Sequence, residues 1–355
     1  MKLAIASRHN PRPEGTPTGR VFWALGEGLV ALGHDVEAVA WAHDQPHDDL
    51  PAWCSWRALP RESELRIRAR ALVRPRHDPV VIDWEPAADA IALAEDPLSF
   101  PLVRNAERTA VVFHYLTKLD APAVGRVAAK DVQDRRHERY VARKANAVLA
   151  FSDRVGSDIS RRSVTVPIAY PVPEAPLPVT SEPVAVMFAN WEWPPNAPAL
   201  RLLLDIWPDV RERVPGARLR LAGWGLEHMQ VGIVPGVELV GAVPKAVDAL
   251  EGAAVLAFPC PPSSGPKVKV MEALSYGVPV VTTTAGAEGL VAEHGRDVVV
   301  SDEAGFADAL VATLGDDARR GALAVGGRQA MLAHHAPEPA ARRRVEVLEA
   351  AFGRP

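Results

Sequence analysis

Cysteine is almost absent from this sequence, with only Cys54 and Cys260 among 355 residues. Two thiols so far apart give neither a disulfide framework nor a cysteine metal site, so we expect a reducing compartment, the cytoplasm. No apolar run reaches the ~20 residues that a membrane-spanning helix needs. A net charge of −4 lacks the basic excess typical of nucleic-acid-binding proteins, and we expect no nucleic-acid partner.

Two nucleotide-binding fingerprints are missing as well. The loop after the first predicted strand lacks G-x-G-x-x-G, and Gly223 and Gly225 come too late with the wrong continuation. This argues against a nicotinamide-dependent dehydrogenase. The pattern G-x-x-x-x-G-K-[ST] is absent too, which argues against a P-loop NTPase.

Short apolar strands that alternate with helical stretches are the main pattern that is present. Hydrophobic residues make up 48% of the chain, and the strands are nearly all apolar, as in a parallel sheet covered on both faces. Residues 172–183 interrupt the alternation with a proline-rich run that indicates a linker. Strands are predicted at residues 2–6, 36–40, 80–83, 110–113 and 147–151, and then at 184–189, 219–222, 237–240, 253–258, 278–281 and 298–300.

Helical periodicity fills several of the gaps between these strands. Residues 21–32 form a helix that Gly33 ends, and residues 197–214 form one that is broken before Pro208. Ser301 or Asp302 is predicted to cap a helix that runs to Leu314. Further helices are predicted at residues 127–144 and 337–352.

The segment of residues 259–290 carries the most specific chemistry. A loop rich in proline, serine and glycine follows a strand and leads into a short helix that holds Lys267, Lys269 and Glu272. Lysines and free backbone N–H groups at a helix N-terminus suit a phosphate. A carboxylate about a turn and a half along suits sugar hydroxyls. Diphosphate and ribose together predict a nucleotide-sugar.

The second half of the chain resembles the donor-binding domain of GT-B glycosyltransferases of family 4, the retaining group 1 enzymes. The resemblance covers residues 184–300 and rests on the runs NWEWPPNAPALRLLLDIWPDVRERVPGARLRLAGWG, VELVGAVPKAVDALEGAAVLAFPC and GPKVKVMEALSYGVPVVTTTAGAEGL. It implies an α/β protein of the GT-B fold, with two Rossmann-like domains facing a central cleft. Residues 1–175 would form the acceptor domain, 176–183 a linker, 184–335 the donor domain, and 336–355 a helix packing back on the first domain.

The resemblance also implies roles for particular residues. Glu272 matches the second glutamate of the family's E-x7-E motif, which holds the ribose, whereas Ser264 stands where the first glutamate contacts the transferred sugar. Lys267 and Lys269 substitute for the Arg and Lys that grip the diphosphate, and Lys267 is also expected to act in catalysis. His114, after a first-half strand, matches a histidine that faces the donor sugar. The remaining donor-binding residues are expected to be Asn190, Gly265, Gly286, Glu288, Gly289 and Leu290.

Acceptor binding is assigned to strand ends in the first half. Gly15 and Gly19 either bring the backbone close to a ligand or only serve turns. Asp83 and Glu85 bind acceptor hydroxyls or belong to a solvated loop. In the second half, Trp191 and Trp193 stack on a ligand or shield the edge of the core; the sequence does not choose between these alternatives.

The predicted activity is transfer of a sugar from a nucleoside-diphosphate sugar to a small-molecule, glycan or lipid-linked acceptor, with no cofactor and no metal. A non-hydrolysing nucleotide-sugar epimerase and a non-catalytic nucleotide-sugar-binding protein are the alternatives. The basic stretches at residues 61–76 and 135–144 contain interspersed acidic side chains and are interpreted as solvated helical faces. Peripheral membrane contact that serves a lipid-linked acceptor is the other interpretation of these stretches.

Overall fold

Parallel strands form two separate sheets in the computed structural model, which describes residues 1–42, 50–58, 84–124 and 129–353. The first sheet has the order β3-β2-β1-β4-β5-β6-β7 within these residues. Its strands are β1 (Lys2–Ser7), β2 (Asp35–Ala42), β3 (Cys54–Ala58), β4 (Ile91–Ala94), β5 (Thr109–Phe113), β6 (Ala147–Ala150) and β7 (Ser163–Thr165). The order reverses between β1 and β4, which is the doubly wound arrangement.

The second sheet repeats the same plan further along the chain. Its described strands have the order β10-β9-β8-β11-β12-β13, with the reversal between β8 and β11. They are β8 (Val184–Phe188), β9 (Arg218–Ala222), β10 (Val237–Gly241), β11 (Val255–Phe258), β12 (Val280–Thr282) and β13 (Val299–Val300). The central strands β8 and β11 are apolar and buried, as parallel strands covered on both faces must be.

Helices connect the strands in both sheets. In the first half they are α1 (Pro17–Ala31), α2 (Phe100–Val103), α3 (Thr117–Val124), α4 (Ala129–Lys144) and α5 (Asp153–Ile159). In the second half they are α6 (Asn196–Arg213), α7 (Ala246–Leu250), α8 (Val268–Ser275), α9 (Phe306–Leu314) and α10 (Asp317–Ala330), and the chain closes with α11 (Pro337–Phe352). No helix among the described residues combines the length and apolar character that crossing a bilayer requires.

The chain divides into two compact units. The first comprises Met1–Ala121, Gly125–Pro171 and His335–Pro355, and the second comprises Val172–His334 with Pro122–Val124. Helix α11 therefore belongs with the first unit, where it packs on α1. A Cβ on Gly28 of α1 would lie 2.1 Å from the Pro337 carbonyl oxygen, so the glycine permits this close approach.

The proline-rich segment before β8 is held against the second unit. Leu177 donates its backbone N–H to the Tyr276 carbonyl at 2.8 Å. The Arg328 guanidinium donates to the backbone carbonyls of Pro173, at 2.6 Å, and Glu174, at 2.9 Å. The arginine thus satisfies carbonyls that a segment without helix or strand leaves unpaired.

Two predicted helix boundaries are wrong. Helix α6 runs through Pro208 without a break, because its buried face continues from Trp207 before the exposed proline to Val210 after it. Helix α9 begins at Phe306, and the Asp302 side chain accepts from the Gly305 N–H in the preceding turn at 2.8 Å. The strand predicted at residues 80–83 and the basic stretch at 61–76 lie outside the described residues.

Candidate functional site

The predicted donor residues gather where the second sheet reverses its strand order. The loop after β8 contains Asn190, and the loop after β11 leads through Gly265 into α8. Strands β8 and β11 are neighbours, so both loops leave the sheet at its carboxyl edge. Ligands of doubly wound sheets bind at this position, outside the strand ends at the switch point.

Asn196 joins these two loops and was not among the predicted site residues. Its side-chain Nδ2 donates to the Asn190 carbonyl at 2.7 Å, and its Oδ1 accepts from the Lys269 Nζ at 3.0 Å. The two bonds together fix the orientation of the amide, because Nδ2 is a donor and Oδ1 an acceptor. Asn196 is buried at the first position of α6, so the bridge is shielded from water.

Lys269 carries a positive charge that no described carboxylate neutralises. Apart from Asn196, its ammonium contacts the Phe258 ring, 4.1 Å from the centroid. Among the described residues it forms no ion pair, and none of its contacts is to a carboxylate. The pKa of Lys269 is lowered to about 8, chiefly by burial; Cys260 opposes this shift and Lys267 adds to it. A partly desolvated cation of this kind favours an incoming anion.

Lys267 lies at the N-cap of α8 and bends back over the loop that precedes the helix. Its Nζ donates to the Ser264 carbonyl at 3.1 Å and to the Gly265 carbonyl. Both predicted lysines therefore lie at the start of the same helix, but Lys267 is directed to the loop and Lys269 to α6. Gly265 has a φ of +75°, which allows the loop to turn into the helix.

Glu288 connects the loop after β12 to the loop after β11. Its Oε1 accepts from the Gly265 N–H at 3.1 Å, and the Thr283 hydroxyl donates to the Cys260 carbonyl at 2.6 Å. A Cβ on Gly286 would lie 1.9 Å from the Thr282 Oγ1, so this turn can only pack closely with glycine there. Gly289 has a φ of +80°, and the Leu290 N–H donates to the Ala287 carbonyl at 3.1 Å, which closes the turn.

Glu272 lies in the middle of α8 and is 4% exposed. A buried carboxylate needs hydrogen-bond donors around it, and Glu272 does have interaction partners in the structure. Ser264, at the position of the absent first glutamate, is also buried. The site therefore combines a buried carboxylate with two lysines on one short helix.

The two tryptophans of the loop after β8 differ in environment. Trp191 is buried and donates its Nε1–H to the Ala222 carbonyl at 2.9 Å, so it covers the edge of the core. Trp193 is exposed and remains available for stacking.

A second group of residues lies at the switch point of the first sheet. His9 follows β1, Asp96 follows β4 and His114 follows β5. Asp96 accepts from the Arg8 N–H at 3.2 Å and from the Ser99 hydroxyl at 2.8 Å. His9 and Asp96 were not singled out from the sequence, although a polar residue directly after a buried strand is the signal that identified His114.

His114 is held as a neutral imidazole. Burial lowers its pKa to about 4; Asp96 opposes the shift, while His9 and Arg344 favour it. Burial likewise lowers the pKa of His9. The ring of His114 packs on Phe151 with centroids 4.6 Å apart. Among the described residues, its buried Nε2 has no hydrogen-bond partner.

The predicted acceptor residues are less clearly grouped. Gly15 is exposed with a φ of +131°, and Glu85 is exposed. Gly19 is buried in the first turn of α1, where a Cβ would lie 2.5 Å from the Asn10 carbonyl oxygen. Packing of the preceding loop on α1 thus accounts for glycine at this position. Asp83 lies outside the described residues.

Metal ligands are not grouped in the described part of the chain. No set of three or more His, Cys, Asp or Glu side chains there is arranged to hold a metal ion. Lys267 and Lys269 supply positive charge at the start of α8, in the loop that follows β11.

Known proteins share this fold. Sucrose-phosphate synthase from Thermosynechococcus elongatus is 15% identical, with a TM-score of 0.70 and 99% of each chain covered. HepE of Anabaena, in complex with UDP and glucose, is 14% identical with a TM-score of 0.63, covering 99% of this chain and 100% of HepE. A mutant of S. aureus TarM, in complex with fondaparinux, alpha-GlcNAc-glycerol and UDP, is 11% identical with a TM-score of 0.67, covering 98% and 99%.

These structures confirm the predicted two-domain α/β architecture of GT-B proteins. No curated protein sequence matches the chain. Residues 182–316 match the family described as Glycosyl transferases group 1, which confirms the predicted enzyme class. The chain is a glycosyltransferase with the GT-B fold, and its residues 182–316 carry the match to the group 1 family.

Proposed function

We propose that this enzyme transfers a sugar from a nucleoside-diphosphate sugar to an acceptor hydroxyl with retention of anomeric configuration. The observation that carries the proposal is the Lys269 ammonium at the switch point of the second sheet, which no described carboxylate neutralises. A diphosphate supplies the missing negative charge. UDP in the structures of HepE and TarM supports this donor class.

The leaving diphosphate gains negative charge as the bond to the sugar breaks. Lys269 and Lys267, at the start of α8, stabilise that charge where it develops, and they do so without a metal. The departing phosphate oxygen takes the proton of the acceptor hydroxyl, so that no strong side-chain base is needed. His114 lies at a described strand end of the first unit and is proposed to hydrogen-bond a hydroxyl of the donor sugar.

Glu272 is proposed to hold the ribose hydroxyls of the donor. The Glu272→Gln substitution keeps the size of the side chain but weakens its capacity as an acceptor, so UDP affinity should fall about tenfold. The same substitution should not change the affinity for 2′,3′-dideoxy-UDP, which has no hydroxyls to bind. Calorimetric titration of both nucleotides measures the difference, and equal losses for the two would remove Glu272 from the ribose site.

Turnover tests the proposal as a whole. The protein is incubated with a panel of UDP-, GDP- and dTDP-sugars and with hydroxyl-bearing acceptors, including a glycosylated glycerol, and nucleoside diphosphate release is followed. Lys269→Met should abolish acceptor-dependent release, whereas Lys118→Met, which removes an exposed lysine paired with Asp158, should not. If the acceptor does not increase nucleoside diphosphate release in any combination of donor and acceptor, the transferase assignment is contradicted.

One observation favours a second candidate, a nucleotide-sugar-binding protein without turnover. Ser264 stands where related enzymes place a glutamate against the transferred sugar, so contacts to the sugar are reduced. Binding of donors with no product in the turnover assay would support this candidate. Conversion of the donor to an isomer without acceptor would instead indicate an epimerase.

A further inference from the structure

A buried ion pair links the last helix of the chain to the first sheet. Arg344 of α11 places its Nη1 3.2 Å and 3.1 Å from the two carboxylate oxygens of Glu95, which directly follows β4. The side chains are only 1% and 2% exposed. Burial raises the pKa of Glu95, and the Arg344 guanidinium opposes this shift. Burying two charges is costly, so the pair is weak evidence for a purely stabilising role.

The same two residues contact the surroundings of His114. The Glu95 backbone acts as a hydrogen-bond partner that raises the pKa of the His114 ring, against the larger effect of burial. The Arg344 guanidinium lies over the Phe151 ring at 5.6 Å, and Phe151 in turn packs on the His114 ring at 4.6 Å. Arg344 therefore touches both groups that fix the position of the imidazole.

The effect of Glu95 on the pKa and the unpartnered Nε2 together favour one tautomer of His114. The Nε2 has no partner among the described residues, so the bond to the Glu95 backbone is made through Nδ1. This bond favours the protonated ring, which means that Nδ1 donates and the Glu95 carbonyl accepts. In a neutral imidazole, Nε2 is then an acceptor. The other charged or titratable groups that face the ring are Asp96, His9 and Arg344.

We propose that Arg344 is a positioning residue which, through Glu95 and Phe151, holds His114 so that Nε2 accepts a hydrogen bond from a substrate hydroxyl. The proposal rests on the transferase function only for the identity of that hydroxyl. Helix α11 thereby contributes to the surroundings of His114. It follows the second unit in sequence but belongs to the first unit.

The test removes both charges of the pair together. A Glu95→Gln/Arg344→Met variant leaves no unpaired buried charge, and replacements of this kind are often tolerated by the fold. The matched control is Arg343→Met on the same helix, which removes an exposed arginine paired with Glu346. Histidine ring signals are followed against pH by NMR in the free protein, and a His114→Gln variant assigns the signal of His114.

In the double variant, the pKa of His114 should rise by about one unit, a tenfold change in its protonation equilibrium. The kcat should fall about tenfold or more because the imidazole is displaced, while the donor KM changes little. Arg343→Met should match the wild type in all three quantities. The NMR readout requires no turnover, so an inactive wild-type protein would overturn the proposed function while the titration still decides the positioning role.

An unchanged titration of His114 and an unchanged kcat in the folded double variant would overturn the proposal. An increase in the donor KM by the same factor as the decrease in kcat, with an unchanged titration of His114, would also overturn the proposal. That pattern indicates general damage to the site and not displacement of the imidazole. If the double variant does not fold, Glu95→Gln/Arg344→Gln is used, since it also leaves no unpaired buried charge and keeps polar side chains at both positions. The same outcomes then apply.

Discussion

Raising the pH from 7 to 9 should weaken donor binding about tenfold, because it removes the proton from Lys269. The pKa of this side chain is lowered to about 8 in the folded protein, chiefly by burial. The ammonium fraction is therefore about 0.9 at pH 7 and about 0.1 at pH 9. If only the ammonium form binds the diphosphate, affinity is complete below pH 8 and is lost as the pH rises through that value.

The measurement is a calorimetric titration of UDP-glucose without acceptor at pH 7, 8 and 9. The Lys269→Arg variant is the control, because a guanidinium stays charged throughout this range. Arginine does not reproduce the contact with Asn196, so the comparison is of the pH dependence within each protein: the affinity of Lys269→Arg should not fall between pH 7 and 9. Any titration of the nucleotide itself affects both proteins equally.

A tenfold change corresponds to about 1.4 kcal/mol of binding free energy, well within the resolution of the titration. Equal pH dependence in the wild type and in Lys269→Arg would refute the reasoning, because it would show that Lys269 does not supply the charge that the donor meets. A wild-type affinity that increases with pH would refute it as well.

Two further predictions concern the support of this site. Gly286→Ala places a Cβ 1.9 Å from a threonine oxygen and should destabilise the protein by about 1–3 kcal/mol, seen as a lower Tm, whereas Gly232→Ala, with open space around it, should leave the Tm near that of the wild type. Asn196→Leu removes the bond to Lys269 and should weaken UDP binding about tenfold through loss of a charge-assisted hydrogen bond; unchanged affinity would show that the bridge is not needed.

Most of the fold could be predicted because its strands are short apolar runs between loops. Nearly all of the strands around both switch points were found in this way. The edge strands β3 and β7 were missed, since edge strands in a parallel sheet carry polar residues and lack a continuous apolar signal. The central strand β4 was missed because four residues of isoleucine, alanine and leucine fit a helix equally well.

The lysines and His114 could be selected as candidates because each lies next to a helix start or strand end that the sequence displays, and Glu272 because it matches the motif of the resembling family. Asn196 and Arg344 could not. Asn196 meets Lys269 only when β8 and β11 become neighbours, and Arg344 meets Glu95 across 249 positions of sequence. Contacts of this kind are set by tertiary packing, and a single sequence carries no local signal for them.

The most direct test of the central claim is NMR analysis of the product formed from an α-linked nucleotide-sugar and a hydroxyl-bearing acceptor. A retaining transfer should release nucleoside diphosphate and form a new glycosidic bond of α configuration, and both should be lost in Lys269→Met. A β-linked product would contradict the retaining reaction, and donor binding without any glycosidic product across the donor and acceptor panel would contradict transfer itself.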